Sequence, residues 1–368
     1  MMFPFPRRSR RNSQSAQGVD LPDEAAPDST AAPGAEDTRE LVRDPTGPTE
    51  PVRRVSVGAA ARSGKDNGAY GTAVSSIVEE NANRPICVPA RFAHEVLTFL
   101  LLVYCAESWR GAPQIFTAVG PPGSGKTVTL REICQRFGAV LEIVDASMCE
   151  DEMAGKTVDK LQALYIKASE DQVRSGIPRV IFWNEVALGI GNRDRRIYIT
   201  VNTQLLVSAI MEITDQPTRV RGRDTVLVPF IMTSNDMSPL YAPLRRFGRM
   251  RVVRWELTPE ETHTIGRHIL RGYLAAEQFD WLAARAGSWT PAHYQELKTA
   301  ILRLRVRQAV EGLSAREALL AAVQGKGARL IDAQGVAWET LKAAVADVER
   351  GVEAARTDYT IQTKGGKS

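Results

Sequence analysis

The chain has 368 residues, of which 43% are hydrophobic and 24% are charged, and its formal net charge is +4. This composition is typical of a soluble globular protein with about two or three domains. The net charge is too small to indicate a nucleic-acid partner by itself. The longest apolar run, residues 96–105 with Thr98 as an interruption, is about half as long as a helix that spans a bilayer. We therefore expect no membrane partner.

The cysteines and histidines form no recognisable metal or disulfide motif. The four cysteines show no C-x-x-C spacing, and the four histidines form no H-E-x-x-H pair. Reduced thiols in a cytosolic protein are the expected state. No apolar segment follows the arginines within residues 7–11, so a signal peptide is not expected. We predict a cytoplasmic location, with the chloroplast stroma as the alternative; the acidic residues within residues 20–40 argue against a transit peptide.

The first part of the chain, residues 1–67, has the composition of a disordered region. It is rich in Pro, Ala, Ser and charged residues and poor in large apolar residues. A solvated tail is the simple interpretation, and a tether or a partner-binding segment is the alternative. Ordered structure is predicted to begin near Tyr70, with helices over residues 70–82 and 90–108.

Strands and helices alternate over the middle of the chain, residues 68–258. The predicted strands are residues 114–119, 139–145, 179–183, 225–233 and 250–256. The predicted helices between them are residues 128–137, 158–169 and 198–213, with a short helix near Leu240. This alternation predicts an α/β fold with a parallel five-stranded sheet and helices on both faces. Ligands bind such sheets at the carboxyl ends of the strands.

A phosphate-binding loop follows the first predicted strand. Residues 120–127 match the template G-x-x-x-x-G-K-[ST] at each position. Its glycines let several backbone N–H groups face one phosphate chain, and the following helix adds its positive dipole end. Lys126 is predicted to reach the β- and γ-phosphates, and Thr127 to hold Mg²⁺. The predicted nucleotide-binding residues are Gly120, Pro121, Pro122, Gly123, Ser124, Gly125, Lys126 and Thr127.

Polar residues follow the third and fourth strands, where they would face the phosphates. Asn184 is predicted in the magnesium shell, although an amide supplies no negative charge. Glu185 is predicted to orient the attacking water or to accept its proton. Asn235 is predicted to orient water against the γ-phosphate. An ordinary strand ending in a turn is the alternative interpretation.

Two arginines after the fourth strand, Arg246 and Arg249, lie away from the phosphate loop of their own chain in this arrangement. In a ring assembly they would face the nucleotide of the neighbouring subunit. A guanidinium supplied in this way stabilises the charge of the transition state. A basic surface turn is the alternative interpretation.

The chain from residue 259 to residue 356 is predicted to form a small helical lid domain. Thr258 is a good N-cap, and Glu261 completes a capping box. An apolar stripe has helical spacing, and its members are Tyr294, Leu297, Ile301 and Leu304. A further amphipathic helix is predicted over residues 338–355, followed by a flexible tail over residues 357–368.

This set of motifs, in this order and with a helical region behind it, resembles the AAA+ ATPases over about residues 70–310. The resemblance implies an AAA+ P-loop fold with ATP and Mg²⁺ as cofactors.

A narrower resemblance is to Rubisco activase of the plant and cyanobacterial type. The residues that carry it are 198–204, 213–220, 228–236, 240–244 and 248–250, together with the pairing of Asn184 with an acid. It implies a homo-oligomer, a hexameric ring, that uses ATP to pull on sugar-phosphate-inhibited Rubisco.

The same resemblance assigns roles to individual residues. Arg246 and Arg249 correspond to arginine fingers, and Arg303 corresponds to the second sensor with Arg305 in reserve. Residues 153–156 correspond to a first pore loop.

Departures from that family leave the protein target open. Pro121-Pro122 has the general AAA+ form, Glu185 stands where the family has Asp, and residues 1–67 bear no likeness to its target-engaging domain.

One alternative function is that of a remodeller of another protein complex. A second is a nucleotide-dependent scaffold with little turnover, because Asn184 weakens the magnesium shell. A nucleic-acid partner is not expected, because no binding motif is visible, and the arginines within residues 193–196 are either a second pore loop or solvated charges.

Overall fold

The computed structural model describes residues 74–105, 112–145, 148, 155–187, 201–238, 240–246, 248–326 and 335–364. The low-complexity region predicted over residues 1–67 lies outside the described residues. So do the pore-loop residues Met153 and Ala154, and the arginines within residues 193–196.

The described strands and helices follow the predicted alternation. The strands are β1 Ile115–Val119, β2 Val140–Val144, β3 Arg179–Trp183, β4 Arg219–Val220, β5 Arg223–Asp224, β6 Phe230–Ser234 and β7 Met250–Arg254. The helices are α1 Ala90–Cys105, α2 Lys126–Arg136, α3 Lys156–Ser175, α4 Val201–Asp215, α5 Pro259–Ile269, α6 Ala276–Arg285, α7 Pro291–Ala309, α8 Ala315–Ala321 and α9 Trp338–Lys364. Residues 74–79 are also helical.

A five-stranded parallel sheet forms the centre of the fold, with the strand order β2-β3-β6-β1-β7. Strand β1 pairs with β6 on one side and with β7 on the other, and β6 pairs with β3. The parallel five-stranded sheet predicted from the sequence is confirmed. The loop that leaves the end of β1 therefore lies beside the ends of both β6 and β7.

The sheet is covered by helices on both faces because its strands are apolar on both faces. In β3, Val180 and Phe182 belong to the apolar cluster that contains residues of α1 and α2. Ile181 and Trp183 belong to the cluster on the other face, which contains residues of α3 and α4. This period of two places successive side chains in opposite cores, and the buried strands hold the following loops in fixed positions.

Arg136, at the end of α2, ties that helix to the segment that precedes α1. Its side chain is 0% exposed and pairs with Glu132 at 2.9 Å. The guanidinium also donates to the carbonyls of Ile77 and Ile86, each at 2.6 Å, and to Asn81 Oδ1 at 2.8 Å. A buried guanidinium needs such partners, so the helix after the phosphate loop and residues 77–86 form one rigid unit.

The fourth predicted strand, residues 225–233, is shorter in the structure. Pro229 has no N–H to donate, and β6 begins directly after it. The preceding backbone bonds to α3 instead of the sheet, because Val226 N donates to Ser169 Oγ at 2.8 Å. A small antiparallel hairpin of β4 and β5, which the sequence interpretation missed, precedes it. Its turn residues Arg221 and Gly222 both have positive φ, as a two-residue hairpin requires.

Helices alone form the described chain after residue 258. The predicted apolar stripe lies in the core of this region, where Tyr294, Leu297 and Ile301 are buried and Leu304 is partly buried. Helix α9 extends to Lys364, so residues 357–364 of the predicted tail are helical. Among the described residues, no helix has the length and apolar character needed to cross a membrane.

Candidate functional site

The phosphate loop, residues 120–127, lies against the end of β7. Gly120 N donates to Ser234 O at 3.2 Å, and Trp255 N donates to Val119 O at 2.6 Å. Trp255 is 1% exposed, stacks on Phe92 with ring centroids 3.6 Å apart, and donates its indole N–H to Ser124 O at 3.3 Å. A buried tryptophan at the end of β7 therefore holds the loop through hydrogen bonds to Val119 O and Ser124 O.

Gly120 is required at its position because a side chain has no room there. A Cβ atom would lie 2.3 Å from the carbonyl oxygen of Trp255. We expect Gly120→Ala to destabilise the fold by about 1–3 kcal/mol, the usual cost of overpacking a core, and to weaken nucleotide binding. Thermal unfolding and titration with a fluorescent ATP analogue measure the two effects. Gly287→Ala is the control, since no atom lies within 4 Å of its Cβ; equal behaviour of the two variants would contradict the prediction.

Lys126 is buried beneath the loop, with 5% exposure. Its ammonium group donates to Gly120 O at 2.8 Å, Pro121 O at 2.9 Å and Asn235 Oδ1 at 2.8 Å. Burial lowers the pKa of Lys126, and the charge of Glu185 opposes that shift. The structure thus brings the predicted phosphate lysine and the predicted water-orienting Asn235 into direct contact.

Asn184 connects the phosphate loop with two neighbouring strands. Its Oδ1 accepts hydrogen bonds from the hydroxyl groups of Thr127 and Thr233, the latter at 2.9 Å. Thr233 Oγ1 in turn accepts from Glu185 N at 2.9 Å. The two predicted magnesium residues, Thr127 and Asn184, are therefore adjacent at the end of the sheet.

Glu185 has the unusual backbone conformation that turns the chain away from the sheet after β3. Its φ is +52°, in the left-handed region that costs a non-glycine residue about 1–2 kcal/mol. The bond from its N–H to Thr233 holds this conformation. The side chain is partly exposed, next to the exposed side chain of Asn184. Backbone strain of this kind is found at functional sites.

The residues at this end of the sheet fit Mg²⁺ bound together with a nucleotide. Mg²⁺ prefers oxygen ligands and keeps several waters and phosphate oxygens in its shell. Thr127 and Asn184 supply a hydroxyl and an amide oxygen, and Glu185 supplies a nearby carboxylate. Among the described residues, no group of three or more His, Cys, Asp and Glu side chains is placed to hold a metal ion. A metal that arrives with phosphates needs no such group.

The helical region contacts the phosphate loop through the first turn of α7, which the sequence interpretation missed. Ala292 N donates to Gly123 O at 3.1 Å. Gly123 has φ +74°, and a Cβ there would lie 2.9 Å from Ala292 Cβ. The sequence signal for a helix that begins there was Thr290-Pro291, which repeats the Thr258-Pro259 pattern at the start of α5.

A second link joins α1, which packs on the sheet, to the helical region after residue 258 through Arg91. Its guanidinium binds both carboxylate oxygens of Glu261, at 2.6 and 2.8 Å, and also donates to Glu256 O. Burial raises the pKa of Glu261, but the bonds from Arg91 and Thr258 outweigh it, so the net shift is downward. Since Glu261 also completes the predicted capping box of α5, one carboxylate fixes both the helix start and its attachment.

Arg246 and Arg249 lie on the loop between β6 and β7, and their environments differ. Arg246 is exposed, and among the described residues no group hydrogen-bonds or ion-pairs with its side chain. Arg249 is only 15% exposed, ion-pairs with Asp215 and donates to Pro243 O at 2.8 Å. Arg246 is available to a neighbouring molecule, whereas Arg249 is engaged within its own chain.

Arg303 and Arg305, the predicted second sensor and its reserve, lie on the later turns of α7. Arg303 ion-pairs with Glu296 at 2.8 Å on the surface of α7, and Arg305 donates to Gly335 O. Arg303 is eleven residues beyond Ala292 in the same helix, which is about 16 Å along its axis. The part of α7 that reaches the loop is its first turn.

Residues 116–256 match the family model described as the ATPase family associated with various cellular activities, AAA. The chain therefore carries an AAA domain, which confirms the broader resemblance seen in the sequence.

Several curated relatives are named ribulose bisphosphate carboxylase/oxygenase activase. The chain is 31% identical to the chloroplastic protein of Phaseolus vulgaris over 182 residues, which are 46% of this chain and 41% of the relative. It is 32% identical to the chloroplastic protein of Zea mays, over 46% of this chain and 42% of the relative. It is 32% identical to the protein of Anabaena sp., over 42% of this chain and 38% of the relative. The similarity thus spans about two fifths of the length of each relative.

Proposed function

We propose that this protein binds ATP with Mg²⁺, hydrolyses it, and uses the energy to remodel a protein complex in the manner of a Rubisco activase. The observation that supports the ATPase most directly is the contact of Lys126 with Asn235, 2.8 Å from Nζ to Oδ1. It joins the phosphate loop to the strand end predicted to hold the attacking water. The adjacent contacts of Thr127 and Thr233 with Asn184 support a magnesium shell at the same place.

The bonds of Lys126 indicate how this site would respond to nucleotide. An ammonium group has three N–H donors, and all three are used by Gly120, Pro121 and Asn235. A phosphate oxygen that binds Lys126 must therefore replace one of these acceptors. Asn235 is the only side chain of the three, so we expect it to be released and to orient the attacking water.

Glu185 is the proposed catalytic base. Glu185 directly follows Asn184 in the chain, and its charge opposes the lowering of the Lys126 pKa by burial. Bound Mg²⁺ would neutralise charge on the β- and γ-phosphates. Glu185 then orients the attacking water and accepts its proton.

Arg246 is the proposed arginine finger of a homo-oligomeric ring. The resemblance to Rubisco activase implies six subunits for this ring. Within the described part of the chain no arginine bonds to Lys126, Asn184, Glu185 or Asn235. The exposed Arg246 can supply that charge to a neighbouring subunit. Arg249 then acts by holding the loop between β6 and β7 rather than by contacting nucleotide. We assign no nucleotide contact to Arg303.

The proposed target is Rubisco inhibited by a sugar phosphate, and this part rests on the similarity to the activases. The test is to add the protein and ATP to Rubisco of the same host that has been inactivated with ribulose bisphosphate. Recovery of carboxylation together with phosphate release supports the full proposal. Phosphate release without recovery would leave an AAA ATPase that remodels a different complex. No phosphate release above background would refute the ATPase and favour the nucleotide-dependent scaffold.

The scaffold alternative depends on Asn184, which supplies no negative charge to the metal. We expect Asn184→Asp to lower the Mg²⁺ concentration needed for half-maximal nucleotide binding by about ten-fold, because an added carboxylate at the metal is worth at least about 1.4 kcal/mol. Mg²⁺ titrations with a fluorescent ATP analogue measure it. Asn83→Asp, at an exposed site, is the control for net charge; an unchanged Mg²⁺ requirement in Asn184→Asp would remove residue 184 from the metal shell.

The proposed location is the cytoplasm, with the stroma as the alternative. Cys87, Cys105 and Cys134 are free thiols, the state that reducing compartments maintain. The relatives from Phaseolus vulgaris and Zea mays are named as chloroplastic.

A further inference from the structure

The loop between β6 and β7 is fixed to its own chain at both ends. We call it the Tyr241 loop and define it as residues 240–246 and 248–249. Leu240 and Leu244 are 2% and 1% exposed and anchor its first half in the core. Arg249 anchors the second half to α4 through Asp215 and also donates to Pro243 O within the loop. The described part of the loop is therefore anchored to the core of its own chain.

The exposed side chains between these anchors are of the kinds that dominate protein interfaces. Tyr241 is 54% exposed although it lies between the buried leucines. Arg246, five residues later, is exposed and unpaired among the described residues. Tyrosine and arginine are enriched among the residues that carry most of the binding energy of interfaces. A tyrosine side chain has only two χ angles and therefore loses little conformational entropy on binding.

A second copy of this chain is the partner that fits these residues. The backbone carbonyl of Arg246 accepts hydrogen bonds from the N–H groups of Arg249 and Met250, at 3.1 and 3.2 Å. The backbone of Arg246 is thus fixed, and the residue is exposed. The nucleotide site of the same chain contains Lys126 but no bonded arginine among the described residues. A surface that presents a guanidinium and a site that needs one make a head-to-tail contact between identical copies.

We propose that Tyr241 is the packing anchor of this head-to-tail interface: its ring packs against the neighbouring copy and adds affinity to the contact that Arg246 makes. This inference rests on the proposed trans action of Arg246, but it concerns assembly rather than chemistry. Tyr241 contributes affinity between copies, and Arg246 contributes rate.

The test measures molecular mass and ATP turnover against protein concentration for the wild type, Tyr241→Ala, Tyr241→Phe and Leu319→Ala. Leu319 is the matched control because it is 68% exposed and lies on α8, away from the loop in sequence. We expect Tyr241→Ala to raise the concentration for half-assembly by about 10- to 30-fold, the effect of losing an interface hot spot. Its turnover per assembled subunit should stay within about two-fold of the wild type. Tyr241→Phe and Leu319→Ala should assemble like the wild type.

Two results would overturn the inference. The first is an unchanged assembly curve for Tyr241→Ala while the wild type assembles normally, which sinks the role of Tyr241 and leaves the ring intact. The second is a wild type that stays monomeric at every concentration with and without ATP, which refutes the ring itself. Circular dichroism of Tyr241→Ala separates loss of assembly from loss of fold, and an unfolded Tyr241→Ala with a normally assembling Tyr241→Thr would also count against the anchor.

Discussion

Replacing Glu185 with Gln is expected to lower ATP turnover by about 10²- to 10⁴-fold, the range over which a positioned general base contributes. Gln keeps the size of the side chain and the N–H that bonds to Thr233 Oγ1. It loses only the ability to take a proton from water. Nucleotide affinity should therefore stay within about three-fold, since the phosphate contacts of Lys126 and Thr127 are unaffected. Phosphate release at saturating ATP measures the rate.

The control for this change is Glu170→Gln, which removes an exposed carboxylate on α3 that pairs with Arg223 at 3.5 Å. It should hydrolyse ATP at the rate of the wild type, because exposed ion pairs contribute little to stability. Equal turnover in the wild type and in Glu185→Gln would exclude Glu185 as the base. If both proteins hydrolyse ATP, Asn235 and Lys126 would have to position water without a base. If neither does, the scaffold interpretation is favoured.

The strand ends were predictable from sequence because one physical rule places them. Parallel strands end at the same edge of a sheet, so Asn184 after β3 and Asn235 after β6 had to lie near the loop after β1. The order of the strands brings β6 next to both β1 and β3, which explains the contacts of Asn235 with Lys126 and of Thr233 with Asn184. The sequence pattern and the strand order therefore both place Asn184 and Asn235 beside the phosphate loop.

The contacts between the sheet domain and the helical region were not predictable in the same way. Trp255 reads as the end of an apolar strand, and nothing in its neighbours shows that its indole N–H would meet Ser124 O. The contact of Ala292 with Gly123 depends on the angle between α7 and the sheet, which no local pattern encodes. The second-sensor role of Arg303, which the family resemblance implies, stays a prediction, since the contact that the structure gives its side chain is with Glu296.

The environment of Arg249 also depends on tertiary structure. A sequence shows two arginines three residues apart and gives both the same role. The structure separates them because Asp215, at the end of α4, lies beside Arg249 and not beside Arg246. A residue engaged in this way stabilises the loop, and the residue without a partner is the one that can act elsewhere.

Replacing Arg246 with Ala is expected to reduce ATP turnover by about 10³-fold or more, the usual effect of removing an arginine finger. The nucleotide affinity of the isolated subunit should not change, because Arg246 makes no bond to the described residues of its own site. Arg245→Ala, the exposed neighbour on the same loop, is the matched control and should retain turnover within about three-fold. Weakened nucleotide binding in a folded Arg246→Ala protein would show that Arg246 acts within its own subunit.

Mixing the two inactive variants distinguishes action in a neighbour from action in the same chain. Arg246→Ala subunits keep an intact Glu185, and Glu185→Gln subunits keep an intact Arg246. In randomly mixed rings, half of the sites have Glu185, and half of those face an intact Arg246. Turnover should therefore recover to about one quarter of the wild-type rate in a head-to-tail assembly. If both residues act on the nucleotide of their own chain, the mixture stays as inactive as its components, and the Tyr241 loop then has no function in the neighbouring site.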